Sequence, residues 1–311
     1  MITALTTLPT LRASFETTGS GRWLMQSIVD GGFDLANGFR LEVQLSDDGV
    51  QGGLQATEAK LVAGEVDFID TDWLSIARCR QAGLPITGAV PYGAILGGLI
   101  APTAGAVNTL ADLPGKTIGV VRRLDKNWLL LRVACKRQHG FDPDEMCRVV
   151  ETGSKTVLRE ILRKGELDVA LQFWHQVPGM LEGGEYREVC DMLDLLPMLG
   201  IRNVPSTFFV FHDALVESNP ELIQGFSSAL RAAHAVLRED SVAWHEVVGQ
   251  QMENKSALRD KWLSRINTDW HKNMEDDLEQ LAGLIDSLHN KSEYNGLPKG
   301  TLSASLINKE A

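Results

Sequence analysis

Four of the seven tryptophans stand next to polar residues of the kind that hold small molecules. Trp23 follows the small-residue run "TTGSG" (Thr17 to Gly21). Trp73 follows Asp70, Thr71 and Asp72. Trp128 follows Arg122 and Arg123, and Trp174 follows Gln172 and Phe173 and precedes His175. Tryptophan gives a flat face for stacking on a ring or enclosing a cation, or it fills the core beneath a loop. A carboxylate at Asp70 would pair with an ammonium or an amidine-like N–H edge. Asp72 either does the same or caps the helix that begins at Trp73. Backbone N–H groups of Thr18, Gly19 and Ser20, where a helix opens, would cradle a carboxylate, sulfonate or phosphate. Arg22, Arg122 and Arg123 would add charge there unless they are solvated at the surface. Gln172 offers a specificity hydrogen bond, and Ser206 and Thr207 are further polar contacts. His175 reads as a base or as a locally satisfied ring. The expected ligand contacts are therefore Thr18, Gly19, Ser20, Trp23, Asp70, Asp72, Trp73, Arg122, Trp128, Gln172, Trp174 and Ser206.

Two phrases set these residues in order. "LVAGEVDFIDTDW" (61–73) and "LRKGELDVALQFW" (162–174) share Leu, Gly-Glu, Asp and a final Trp at one constant offset. In each, a helix ends at a glycine, Gly64 or Gly165, which suits a left-handed C-terminal cap. A short apolar strand comes next, carrying Asp67 or Asp168, and delivers its tryptophan at the next helix start. Asp67 and Asp168, inside the strand in both copies, read as structural. Strand candidates at 11–17, 41–47, 66–70 and 86–90 alternate with helices in the first half. Those at 117–121, 147–152 and 167–172 do so in the second. The pattern predicts open α/β sheets in two copies, whose ligands sit beyond the carboxyl ends of the strands.

The composition limits the partners. The 311 residues carry 30 basic and 41 acidic side chains, a net charge of −11, which argues against a phosphate-binding nucleic-acid surface. The longest apolar run, "YGAILGGLIAP", is too short and too glycine-rich to span a membrane, so no membrane insertion is expected. The start "MITALTTLPTLRAS" lacks the basic and apolar regions of a secretion signal. The scattered cysteines, Cys79, Cys135, Cys147 and Cys190, form no CxxC motif. No GxSxG, HExxH, Walker or GxGxxG motif occurs, so no cofactor or metal is expected.

"TLADLPGKTIGVV", "LREILRKGELDVAL" and "LVAGEVDF" with "ARCRQAGLPI" together resemble the type II solute-binding proteins of ABC importers. The nearest subgroup is that for nitrate, sulfonates, taurine and thiamine-precursor pyrimidines, and the resemblance covers about residues 11–235. It implies a two-lobed α/β fold with two hinge crossovers and a cleft between the lobes. Lobe 1 would comprise 1–102 plus 206–311 and lobe 2 103–205, with hinges at "APTAGAVN" and "IRNVPST". It implies a small organic ligand, aromatic or zwitterionic, and an ABC permease as partner. The location is periplasmic if a leader was removed, and cytoplasmic if the chain is complete as given. The same fold supports cytosolic enzymes acting on small aromatic acids or nucleoside-like substrates. The chain lacks the cysteine motif of the thiamine-pyrimidine synthases, and "TTGSGRW" lacks the cysteine of the desulfinase type.

Overall fold

A computed structural model describes residues 8–51, 54–202, 204–249, 252–268, 270 and 274–288. It contains two five-stranded sheets. The first has the order β2-β1-β5-β12-β6, from β1 (Thr10–Glu16), β2 (Arg40–Ser46), β5 (Phe68–Asp72), β6 (Ile86–Gly93) and β12 (Thr207–His212). A two-residue hairpin, β3 (Val50–Gln51) with β4 (Leu54–Gln55), lies between β2 and β5 in the chain. The second sheet has the order β11-β7-β10-β8-β9. Its strands are β7 (Gly98–Pro102), β8 (Thr117–Val120), β9 (Arg148–Glu151), β10 (Val169–Gln172) and β11 (Tyr186–Asp191). In each sheet four strands run in one direction and one inner strand, β12 or β7, runs antiparallel to its neighbours. The chain passes from the first sheet to the second between β6 and β7, and returns between β11 and β12.

The repeated phrase fixes the register of each sheet. The Asp67 carboxylate accepts the Arg12 backbone N–H at 2.8 Å, while the Asp67 N–H donates to the Arg12 carbonyl at 2.7 Å. Asp168 does the same to Thr117, at 2.7 Å and 3.0 Å. Each aspartate thus clamps the entry of β5 or β10 to the first half of the neighbouring parallel strand, β1 or β8. Gly64 (φ +71°) and Gly165 (φ +75°) supply the left-handed turns that bring the chain out of the preceding helices. The first strand–helix–strand unit is therefore built twice by the same local chemistry.

Sheet membership moves the expected boundary. β7 hydrogen-bonds to β10 and β11, so the first crossing lies between Gly93 and Gly98 rather than after 102. Its backbone is pinned on both sides: Ala94 N–H donates to the Arg265 carbonyl at 2.8 Å, and Gly97 N–H to Asn127 Oδ1 at 2.8 Å. The division after 205 is also less simple than expected. Helix Pro220–Glu239 packs on helix Ser20–Asp30, with the first sheet. Helix Lys255–Arg265 packs instead on helix Val177–Leu181, and Lys261 pairs with Glu188 and Asp191 of β11. Helix Met274–Asp286 packs on helix Lys126–His139. β11 gave no sequence signal: its six residues are all half-buried, without the alternation that marks a strand with one wet face.

Candidate functional site

A cavity of about 90 Å³ lies where the carboxyl ends of the two sheets face each other. From the first sheet come Phe15 and Glu16 at the end of β1, Asp70, Thr71 and Asp72 at the end of β5, Tyr92 of β6 and Thr207 of β12. Thr18 and Gly19 and the first turn of helix Ser20–Asp30 close one side. Asp125 and Lys126, at the start of helix Lys126–His139, and Phe173, Trp174 and His175, just past β10, come from the second sheet. Gln55, Thr57, Arg22 and Ile95 complete the wall.

The halves touch across this cavity. Thr18 Oγ1 lies 3.3 Å from His175 Nε2. Glu16 pairs with Lys155, whose ammonium also lies 5.3 Å from the centroid of the Phe173 ring. Ser154 Oγ donates to Asp48 at 3.1 Å. Arg122, carried just past β8, reaches into the first half: its guanidinium lies 3.5 Å from Glu58 and 3.6 Å from Asp72 and donates to Ser75 Oγ at 3.2 Å.

The carboxylates of the wall differ in what they meet. Glu16 has Lys155. Asp72 caps helix Trp73–Gln81 by accepting the Ser75 N–H at 2.9 Å. Burial would raise the Asp72 pKa, but Lys126, Arg122 and Arg78 outweigh it and hold the group below the ordinary carboxylate value. Asp125 caps its helix by accepting the Asn127 N–H at 2.8 Å. Asp70 has no ion pair among the described residues; its side chain accepts a hydrogen bond from the Tyr92 hydroxyl. Burial, only partly opposed by that bond, pushes Asp70 up to about 6. Burial and the neighbouring Asp70 push the Tyr92 hydroxyl well above its ordinary value. Asp70 also stands against the first turn of helix Ser20–Asp30. A Cβ on Gly21 would come within 2.6 Å of Asp70 Oδ2 and 2.8 Å of the Phe15 ring. The helix end expected to cradle a ligand anion thus already faces a carboxylate of the protein itself. His175 is held well below its ordinary value by burial and by Lys155, so its ring is neutral.

Of the residues singled out in the sequence, Thr18, Gly19, Ser20, Asp70, Asp72 and Trp174 line the cavity. Trp23, Trp73, Trp128, Arg122, Gln172 and Ser206 do not. Trp23 is packed edge-on against Trp174 at 5.8 Å and against Trp244 at 5.4 Å. Trp73 and Trp128 sit in the core shared by the two halves. The Trp128 indole N–H has no partner among the described residues. Gln172 is 1% exposed, and neither end of its amide has a partner among the described residues. Ser206 is buried beside Thr207, which takes the place at the wall. The four-tryptophan clamp is therefore not what the fold assembles: one indole reaches the cavity, backed by a second. Sequence reasoning passed over Glu16, Tyr92, Asp125 and Lys126. Asp125 had a readable sign, an N-cap residue at a strand-to-helix turn. Tyr92 had none, because its place depends on the pairing of β6 with β12.

All four cysteines lie away from the cavity, and burial pushes each thiol up, Cys79 to about 11 and Cys135 to about 12. Thiols held protonated make poor nucleophiles. Among the described residues no group of three or more His, Cys, Asp and Glu side chains is placed to hold a metal ion.

A family model described as NMT1/THI5 like matches residues 41–241. The chain belongs to this family. The match starts beyond β1 and the Thr17–Gly21 loop, so that wall of the site is defined by the structure alone. Among solved structures, the alkanesulfonate-binding protein SsuA from Xanthomonas axonopodis pv. citri, bound to MOPS, superposes with a TM-score of 0.75 at 15% identity. The alignment covers 96% of this chain and 97% of that one. The periplasmic aliphatic sulphonate binding protein SsuA from Escherichia coli gives 0.70 at 14% identity, covering 91% and 93%. A conserved Candida albicans gene product, described as defining a new family with the generic periplasmic binding protein fold, gives 0.68 at 14% identity, covering 97% of both chains. At these identities the likeness is one of fold. It confirms the two-lobed α/β architecture that the family resemblance implies. A sequence search of curated proteins finds no match.

Proposed function

We propose that this NMT1/THI5 like protein is a solute-binding protein. It captures a small organic molecule between two lobes and delivers it to an ABC-type permease, on the periplasmic side of a membrane. The observation that carries this reading is the cavity itself. Its walls come from the carboxyl ends of both sheets, and direct pairs such as Glu16 with Lys155 and Thr18 with His175 bridge the halves. Two crossing segments, 94–97 and 192–206, join the sheets, which is the arrangement of a hinge. No helix among the described residues is long and apolar enough to cross a membrane, so a separate permease would provide the passage. The sulfonate-binding proteins of like fold support the class of function. Ligand contacts come from Thr18, Gly19, Ser20, Asp70, Asp72 and Trp174, together with Tyr92, Lys126 and Phe173.

The Asp70–Tyr92 couple, two titratable groups facing the cavity, is the feature a catalyst on the same fold would use, and it keeps an enzymatic reading in view. One experiment separates the two. A thermal-shift screen of the purified chain against sulfonates, aromatic acids, pyrimidines, purines and amines is followed by mass spectrometry of each hit. A ligand recovered unchanged supports binding for transport. A ligand recovered at a different mass establishes catalysis and overturns the reading.

A further inference from the structure

Resting on that reading of the cavity, we infer that its ligand presents a positively charged nitrogen head with N–H donors, an ammonium or amidinium, to Asp70. The geometry points this way on three counts. First, Asp70 has no ion pair among the described residues, whereas Glu16 has Lys155 and Asp72 has Arg122 and Lys126; Asp125, also without an ion pair there, has its carboxylate engaged as a helix cap. A carboxylate withdrawn from water and left unpaired is costly, and a cation arriving with the ligand removes that cost. Second, Asp70 stands beside Gly21 in the first turn of helix Ser20–Asp30, so an anionic head brought to that helix end would meet its charge at close range. Third, Phe15, Tyr92, Phe173 and Trp174 bound the same cavity. Aromatic walls stabilise an organic cation through their ring faces, and a sulfonate gains nothing comparable from them.

Every charged or titratable group around Asp70 takes part in its balance. Tyr92 from β6 donates to it, Glu16 from β1 opposes its charge, and Lys126 from the second half favours it. Asp72 from its own strand is neutralised by its own partners. Arg22 is turned to the Val247 carbonyl at 3.2 Å, and His175 is neutral. With Asp70 poised at about 6, the carboxylate is ionised at pH 8 and largely protonated at pH 5. A permanent cation therefore binds more weakly as pH falls through 6, by roughly tenfold between pH 8 and pH 5. An anionic ligand shows the opposite trend.

The test compares matched rings of opposite head charge. Benzylammonium and benzamidinium are titrated by calorimetry and thermal shift against benzenesulfonate, at pH 5, 6, 7 and 8, with the wild-type chain and Asp70→Asn. The cations are expected to raise the melting temperature at pH 8 and to lose roughly tenfold in affinity by pH 5. Asp70→Asn should lose at least tenfold in cation affinity at pH 8. The wild-type pH profile carries the test even where the variant folds poorly. A benzenesulfonate shift exceeding that of both cations overturns the inference, as does a cation affinity flat in pH. Either result, with the ligand recovered unchanged, leaves the solute-binding reading standing; conversion of a bound probe overturns that reading instead.

Discussion

Arg122 has the charge of a ligand contact and instead ties the two halves together, which makes Arg122→Met the sharpest test of how they are held. The substitution keeps much of the stem and removes the guanidinium from between Glu58 and Asp72, where all three side chains are at most 8% exposed. Removing one partner of a buried ion pair costs about 3–5 kcal/mol, because the remaining charge stays out of water. The low end applies here. Glu58 keeps bonds from Thr71 Oγ1 and the Gln55 N–H, and Asp72 keeps the Ser75 N–H and Lys126 at 3.9 Å. A loss of about 3 kcal/mol corresponds to roughly 5 °C in melting temperature for a chain of 311 residues. The pH dependence has a definite sign. In the wild type Asp72 lies below its ordinary value, so its contribution is present at neutral pH and lost as pH falls through the folded pKa. In the variant burial is less opposed and the Asp72 pKa rises. Protonation then relieves the unpaired charge, and the deficit shrinks between pH 8 and pH 4.5. The triple variant Arg122→Met with Glu58→Gln and Asp72→Asn keeps both helix caps in neutral form and should recover most of the loss. Differential scanning calorimetry at pH 8, 6 and 4.5 decides. A melting temperature within 2 °C of wild type, or a deficit independent of pH, would refute the reasoning.

Three further variants separate wall from core. Gly21→Ala drives a Cβ into Asp70 and the core ring of Phe15, so stability should fall by about 1–3 kcal/mol and ligand affinity at least tenfold; calorimetric titration at a temperature where the variant is folded reads the second, and unchanged affinity would place the ligand away from Asp70. Trp73→Ala should cost about 3–5 kcal/mol in urea unfolding, because the indole is core. A selective loss of ligand affinity at unchanged stability would restore it to the site. Gln172→Leu should leave stability unchanged or raise it by about 1–2 kcal/mol, since it removes a buried amide with no partner among the described residues; a clear loss in the same assay would show that the amide is satisfied.

The sequence made the frame legible because the frame is local chemistry. A glycine that permits φ near +70°, an aspartate that clamps a neighbouring backbone and a run of apolar strand residues are all readable within a dozen positions. The same logic found the cap Asp72. It failed where function depends on which way an indole turns. Trp73 and Trp174 occupy equivalent positions in the two phrases, yet one is core and the other reaches the cavity. The difference lies outside the repeat. Trp174 meets Trp23 and, behind it, Trp244 from a helix that has no counterpart in the second half, and this stack holds it at the cavity wall. Tyr92 and the crossing at 94–97 were invisible for a similar reason, since β7 could have closed either sheet by its composition.

The repeated phrase therefore has a use different from its most conspicuous residue. What the two copies share is Asp67 and Asp168, each fixing one parallel strand against the next in the same register. That register brings the ends of β1 and β5 level in one half, and of β8 and β10 in the other. The residues at and just beyond those strand ends must then meet across the gap. They are not repeated: Asp70 in the first copy stands where Leu171 stands in the second, and Asp72 where Phe173 stands. At the second of these pairs both residues line the cavity, Asp72 from one half and Phe173 from the other, whereas Leu171 is buried in the core while Asp70 reaches the wall. A duplicated frame with unlike ends thus gives a cavity whose Asp70 carboxylate comes from the first half, while its rings come from both, Phe15 and Tyr92 from the first and Phe173 and Trp174 from the second.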